Sequence, residues 1–229
     1  MEQQPASVIA FRAELRAGWS PRYSGWAHFV FVSVLSLGAI GFALSRLSGV
    51  RAVELLTVPI TFLWANLGEY LGHRGPMHHR RRGLGAIFQR HTVEHHHFFT
   101  HEAMACDSAR DHKIMLFPPI LIVFFLGVLA TPIGLGLAVL LGRNVGFLYL
   151  ATAMGYFISY EWLHWSYHLP PESWLSRLPV LRALRRHHQA HHDLGLMQSW
   201  NFNITFPICD ALFGTLYRGE RRSSRTAPG

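Results

Sequence analysis

Four long apolar blocks alternate with polar stretches along the chain. Residues 27–44 are almost purely apolar, and a run of that length just suffices to span a bilayer. A short turn, Arg46 to Arg51, leads into a second block, 52–72. Its Pro59 is tolerated because membrane helices absorb proline kinks. The third block, 114–141, is broken by Pro118, Pro119 and Pro132. It reads as one tilted or kinked span, with a tight re-entrant turn at 131–136 as the alternative. Arg143 and Asn144 mark a turn before the fourth block, 145–165. Pro170-Pro171 then stops the helix. Beyond it, Leu178 to Leu184 is too short to cross, and Asp210 to Tyr217 reads as a short capped helix or turn. The pattern predicts an all-α fold: a four-span transmembrane helical bundle with a histidine-rich helical cap. The expected division is a polar or interfacial segment 1–25, a membrane domain 26–218 and a disordered tail 219–229. Within 1–25, Val8 to Leu15 fits a short interfacial helix or a partly ordered tail.

Composition supports the membrane reading and limits others. Half the residues are hydrophobic and 15% are charged, as multi-span proteins require. A net charge of +8 raises nucleic acid as a partner. However, the Arg residues flank apolar runs and do not interleave with aromatics, so no nucleic-acid role is expected. The N-terminal segment has no secretory pattern: the first apolar run starts late and no cleavage-type motif follows. Cys106 and Cys209 form no CxxC and no disulfide framework, and reduced thiols are expected. Of the 21 Lys and Arg residues, only Arg46, Arg51 and Arg143 flank the two short turns. The others lie on one side of a four-span chain, which the positive-inside rule makes cytoplasmic. The Arg-for-Lys bias fits a GC-rich coding sequence. The expected protein is integral to a membrane, a bacterial inner membrane, with both termini and the histidine-rich polar loops cytoplasmic.

The candidate chemistry lies in those loops. The chain has 16 His, and all but His28 and His112 fall in or beside four short windows. These hold His73, His78 and His79; His91, His95, His96 and His97; His164 and His168; and His187, His188, His191 and His192. Residues four apart share a helix face, so His164 and His168 can hold one ion. His188, His191 and His192 also fit one face, as do His91 and His95, with His96 about 100° round from His95. His97 and His101 form a competing pair. His73 and His78 diverge on a continuous helix, but Gly75-Pro76 is expected to end it and let the chain bend back. The expected ligands are His73, His78, His91, His95, His96, His164, His168, His188, His191 and His192. Ten are too many for one ion and suit two. His79, His97, His187, Glu69, Glu161 and Asp193 are expected as further ligands or as groups that orient ligands; Glu69 and Glu161 sit about one turn before His73 and His164. His28 reads as an interfacial side chain. Imidazole suits Fe, Zn, Cu and Ni. Scarce Cys argues against a closed structural zinc site.

These motifs resemble the fatty acid hydroxylase/sterol desaturase superfamily of membrane non-haem di-iron enzymes over about residues 60–218. Glu69-Tyr-x-x-His73-Arg-x-x-x-His78 resembles its first histidine box, His164-x-x-x-His168 its third and His188-x-x-His191-His192 its last. Phe117-Pro118-Pro119 and Asp210-Ala-Leu-Phe-Gly-Thr are also similar to family patterns. Two departures stand out. The second box, usually HxxHH, reads His91-Thr-Val-Glu-His95-His96-His97, and Cys209 replaces a Trp before Asp210.

The resemblance implies two Fe ions, with Zn able to substitute on purification. It implies O2-dependent hydroxylation or desaturation of an unactivated C–H bond in a lipid such as a fatty acyl chain or sterol. One oxygen atom is reduced to water by two electrons and two protons. The chain carries no dinucleotide fingerprint, iron–sulfur Cys set or haem module. A separate electron-transfer protein of cytochrome, ferredoxin or reductase type is therefore expected. A carotenoid hydroxylase is the rival enzyme. A membrane metal-binding or transport protein is the rival of another class, although transporters place ligands near the bilayer midplane.

Overall fold

A computed structural model describes residues 4–219; the expected tail falls almost wholly outside the described residues. Every regular element among the described residues is helical. Helix α1 spans Ala6–Ala17. It is tied down by Arg12, whose guanidinium donates to the carbonyls of Phe98, Ala103 and Ala105 and to Asp107. The segment before residue 25 is thus anchored to the 98–107 stretch.

Helix α2 spans Gly25–Ser45, and the Ser24 hydroxyl accepts from the Ala27 N–H at its start. A Cβ at Gly25 would lie 1.6 Å from the Ala109 carbonyl oxygen, so only glycine lets the two backbones meet. A 3₁₀ turn, Ala52–Leu56, leads into α3, Thr57–Gly72. Contrary to the expected break at Gly75-Pro76, α3 continues into a π-turn, His73–Met77, with Pro76 inside it. In an α-turn the proline ring would strike the carbonyl four residues back. The wider π-turn closes five residues apart and moves that carbonyl away. A second π-turn, Gln89–His95, follows α4, Gly85–Phe88, and ends in the turn His96–Phe98.

Helix α5 runs continuously through Pro119–Leu141. The re-entrant alternative therefore does not form. Pro118 and Pro119 sit at the helix start, where no N–H partner is needed. A π-turn at Phe125–Ala130 precedes Pro132. Residues 114–118, expected within this span, instead make the end of the turn His112–Met115 and an extended link. Gly142, at φ 113°, joins α5 directly to α6, Arg143–Tyr167.

Helix α6 is the centre of the molecule, packed by α2, α3 and α5. Val32, Ile122, Leu150, Met154 and Phe157 form the core between α2, α5 and α6. At the α5–α6 crossing a Cβ on Gly146 would lie 2.4 Å from the Gly134 carbonyl oxygen. Among the described residues two helices, α2 and α5, are long and apolar enough to cross a membrane. Large apolar side chains face outward on α2, α3 and α5, among them Phe42, Trp64 and Val139. Helix α7, Pro179–His191, and the short α8, Ile208–Leu212, complete the cap.

Candidate metal centre

The polar ends of α3 and α6, the second π-turn and α7 meet in a buried histidine cluster. Ten imidazoles form two groups of five, and within each group one ring nitrogen per residue lies within 4.8 Å of all the others. The first group is His73, His78, His91, His96 and His191; the second is His95, His164, His168, His188 and His192. The groups adjoin: the His96 and His192 rings stack at 4.3 Å. All ten are buried.

Helix geometry decides the grouping. The second group is built on two α-helical pairs four apart, 164/168 and 188/192. The first is built on two pairs five apart, 73/78 and 91/96, each spanning a π-turn. A π-turn brings residues five apart onto nearly one face. His91 and His95, expected on one face, therefore go to different groups, and His191 separates from its neighbours on α7.

Hydrogen bonds fix which nitrogen faces inward. The Nδ1 atoms of His95, His168 and His191 bond the carbonyls of Ile114, Met104 and Trp200 at 2.9–3.0 Å. Those of His73 and His192 bond the Phe202 and Phe99 carbonyls. A carbonyl only accepts, so each of these Nδ1 atoms carries the proton and each Nε2 presents a bare lone pair. Neighbouring Nε2 atoms approach to 2.8–3.3 Å. Converging lone pairs repel unless a cation lies among them. Two nitrogens at right angles around one ion, each ~2.1 Å away, would stand ~3.0 Å apart. The donor set fits two metal ions, each offered five neutral nitrogens.

Burial keeps these rings neutral, as ligation requires. It pulls the His73 pKa down to about 4 and that of His192 to about 3. It drives His91, His95, His96, His188 and His191 well below the usual imidazole range, with neighbouring imidazoles adding to the effect.

The six further candidates stand outside both groups. His79 bonds the Arg74 carbonyl and His97 that of Thr92. His187 bonds the Asn203 carbonyl, and Asp193 accepts from Gly195 N–H. Neither glutamate bonds an imidazole. Glu161 accepts from the Phe117 N–H, and its other oxygen is buried without a partner. Glu69 accepts from Tyr156, from the Thr205 hydroxyl and from the backbone N–H groups of Ile204 and Thr205. Helix spacing carried no sign of the buried loop at 200–206 that these contacts define; its one sequence cue is the Asp210 motif just downstream.

A cavity of about 480 Å³ between α3, α5 and α6 reaches the cluster. Its near end is lined by Glu69, His73, Met77 and Tyr160, and its far end by apolar residues such as Leu129 and Ile133. His73 is the one imidazole of either group in its wall. A larger cavity, about 890 Å³, lies between α2, α5 and α6 and has no histidine in its lining.

The class this geometry defines is a helical protein with a candidate two-ion histidine centre beside an apolar cavity. The fatty acid hydroxylase family model matches residues 58–215, and the chain belongs to that family. A solved structure described as full-length Scs7p, with only its hydroxylase domain visible, has a similar fold. Its TM-score is 0.56 at 20% identity, over 85% of this chain and 67% of that one. No curated protein matches.

Proposed function

We propose that this protein is a membrane di-iron oxygenase that hydroxylates, or desaturates, an unactivated C–H bond of a lipid chain. It would use O2 and electrons from a separate carrier protein. The observation that carries the reading is the convergence of ten neutral imidazoles beside an apolar cavity. His73, His78, His91, His96 and His191 would hold one iron, and His95, His164, His168, His188 and His192 the other. Bound iron would supply oxygen activation, with one oxygen atom entering the C–H bond and the other leaving as water.

The protein's own residues do the rest. Backbone carbonyls hold the Nδ1 protons and so aim the lone pairs. Aromatic walls, including Phe117 stacked on Tyr160 at 4.9 Å, would keep water from the oxidant and hold the chain close. No carboxylate bonds a ring of either group among the described residues, so the protein would offer each ion neutral nitrogens only.

All four long helices, α2, α3, α5 and α6, would cross the membrane, with the cluster and both termini cytoplasmic. Asn144 supports this arrangement by bonding the Ser48 backbone and Glu54, which places both short turns at one end of the bundle. The histidines lie at the other end. Ligands gathered at helix ends disfavour a transporter, whose sites lie at mid-membrane.

Protein purified without chelator should hold about two metal ions per chain, as the two five-nitrogen sites require. His164→Ala and His191→Ala should each lower metal content and abolish oxygen-dependent product formation from membrane lipid. Full occupancy and turnover in either variant would rule out the di-iron reading.

A further inference from the structure

The two histidine groups are held by different parts of the chain. In the second group, His95, His168 and His192 bond carbonyls at Ile114, Met104 and Phe99, all in the segment 99–114. In the first, His73 and His191 bond the carbonyls of Phe202 and Trp200. Nothing in the loop 200–206 hydrogen-bonds a ring of the second group.

That loop is itself suspended from two carboxylates. Asp210 accepts from the N–H groups of Phe202 and Asn203 at 2.9 and 2.7 Å. Glu69 accepts from those of Ile204 and Thr205 at 2.6 and 3.2 Å. Four successive backbone donors are thus taken up by two side chains from opposite ends of the domain. Residues 201–205 are fully buried, so no water can replace these bonds. Thr215 donates its hydroxyl to Asp210 and steadies it.

We propose that Asp210 and Glu69 are positioning residues for one metal site alone, that of His73, His78, His91, His96 and His191. They act through the loop, whose carbonyls fix the Nδ1–H tautomers of His73 and His191. This rests on the two-ion reading above but does not follow from it. Two bound ions would be equally compatible with a shared scaffold, in which any weakened support releases both.

The test uses the full-length protein in detergent or nanodiscs. Asp210→Asn keeps shape but replaces one of two accepting oxygens with an amide NH2 that faces a backbone donor. Glu69→Leu removes the Oε1 that accepts from both the Ile204 and Thr205 N–H groups, an acceptor that a glutamine oxygen could replace. Each should lower affinity for one of the two ions about 10–100-fold, the range for groups that orient ligands. The other ion should bind as in the parent protein. Metal content after dialysis against graded chelator reads the two affinities. The ring ¹⁵N spectrum of zinc-loaded protein, with rings assigned by single-histidine replacement, should show the tautomers of His73 and His191 disturbed and those of His95, His168 and His192 unchanged. Thr215→Val removes one donor to Asp210 and should give the same one-ion effect more weakly, which covers poor folding of the carboxylate variants. A purely structural role would lower thermal stability and release both ions together. That result, or two unchanged affinities, overturns the proposal. A parent protein that binds a single ion overturns instead the two-ion reading.

Discussion

At the residue scale, the two histidines outside the boxes are not idle. His28 was expected at the interface, yet it is buried, with its ring between the Tyr23 hydroxyl and the Phe117 carbonyl at 2.8 and 2.9 Å. His112 is buried and accepts from the Trp165 indole N–H at 3.0 Å. Each truncation strands a part-buried polar partner. His28→Ala and His112→Ala should each cost about 1–3 kcal/mol of stability. Neither touches a converging nitrogen, so bound metal per folded chain should stay at the parent value. Thermal unfolding and metal analysis of the same samples separate the two effects; metal loss in folded His112→Ala protein would make it part of the centre. The ten ligand candidates themselves were legible in the sequence because histidine clusters are conspicuous by type alone. The fate of Glu69 was not. Its distance from His73 suggested direct contact, whereas its partners are Tyr156 on α6 and, more than a hundred residues away, Ile204 and Thr205 in a loop that no periodicity announces.

At the scale of elements, what could be read depended on the kind of helical turn. The pairs 164/168 and 188/192 follow α-helical spacing, and the structure groups each as the spacing indicates. The pairs 73/78 and 91/96 follow π-spacing, which hydrophobic patterning does not reveal. A π-turn is one extra residue accommodated within an α-helix. The unusual second box therefore has a local explanation: the residue beyond HxxHH is taken up by Gln89–His95, so His91 and His96 still converge. Deleting Val93, which hydrogen-bonds nothing through its side chain, should convert this turn to α-geometry and leave His91 four residues before the present His96. Two ions should remain bound. Deleting Gln189 instead moves His188 out of phase with His191 and His192 on α7, and should empty at least one site. Metal analysis of the two deletion variants compares them directly. Loss of metal from the Val93 deletion with retention in the Gln189 deletion would refute this account of the turns.

For the whole molecule, charge and hydropathy along the chain imply a direction that the helix packing makes specific. The apolar blocks give long helices, and α6 joins them into one bundle. The Arg-rich loops gather with the histidines at one end, while the two short turns meet at the other through Asn144. An isolated turn carries little information about its neighbour, so this meeting of residues 48 and 144 was not legible from either stretch alone. Among the described residues, length and apolarity by themselves mark only α2 and α5 as candidate spans. Helix α3 is shorter, and α6 carries Glu161 and His164, which lower its hydropathy at the cap end. The bundle nonetheless packs α6 against α2, α3 and α5. If α2 and α5 cross, their packed partners cross with them. Cysteines introduced singly at Ser48 and Asn144 should then be labelled by a membrane-impermeant thiol reagent from the side opposite to cysteines at His101 and Arg218, in a background with Cys106 and Cys209 replaced by Ser. Ser48 and Asn144 labelled from different sides, or all four from one side, would be incompatible with four crossings.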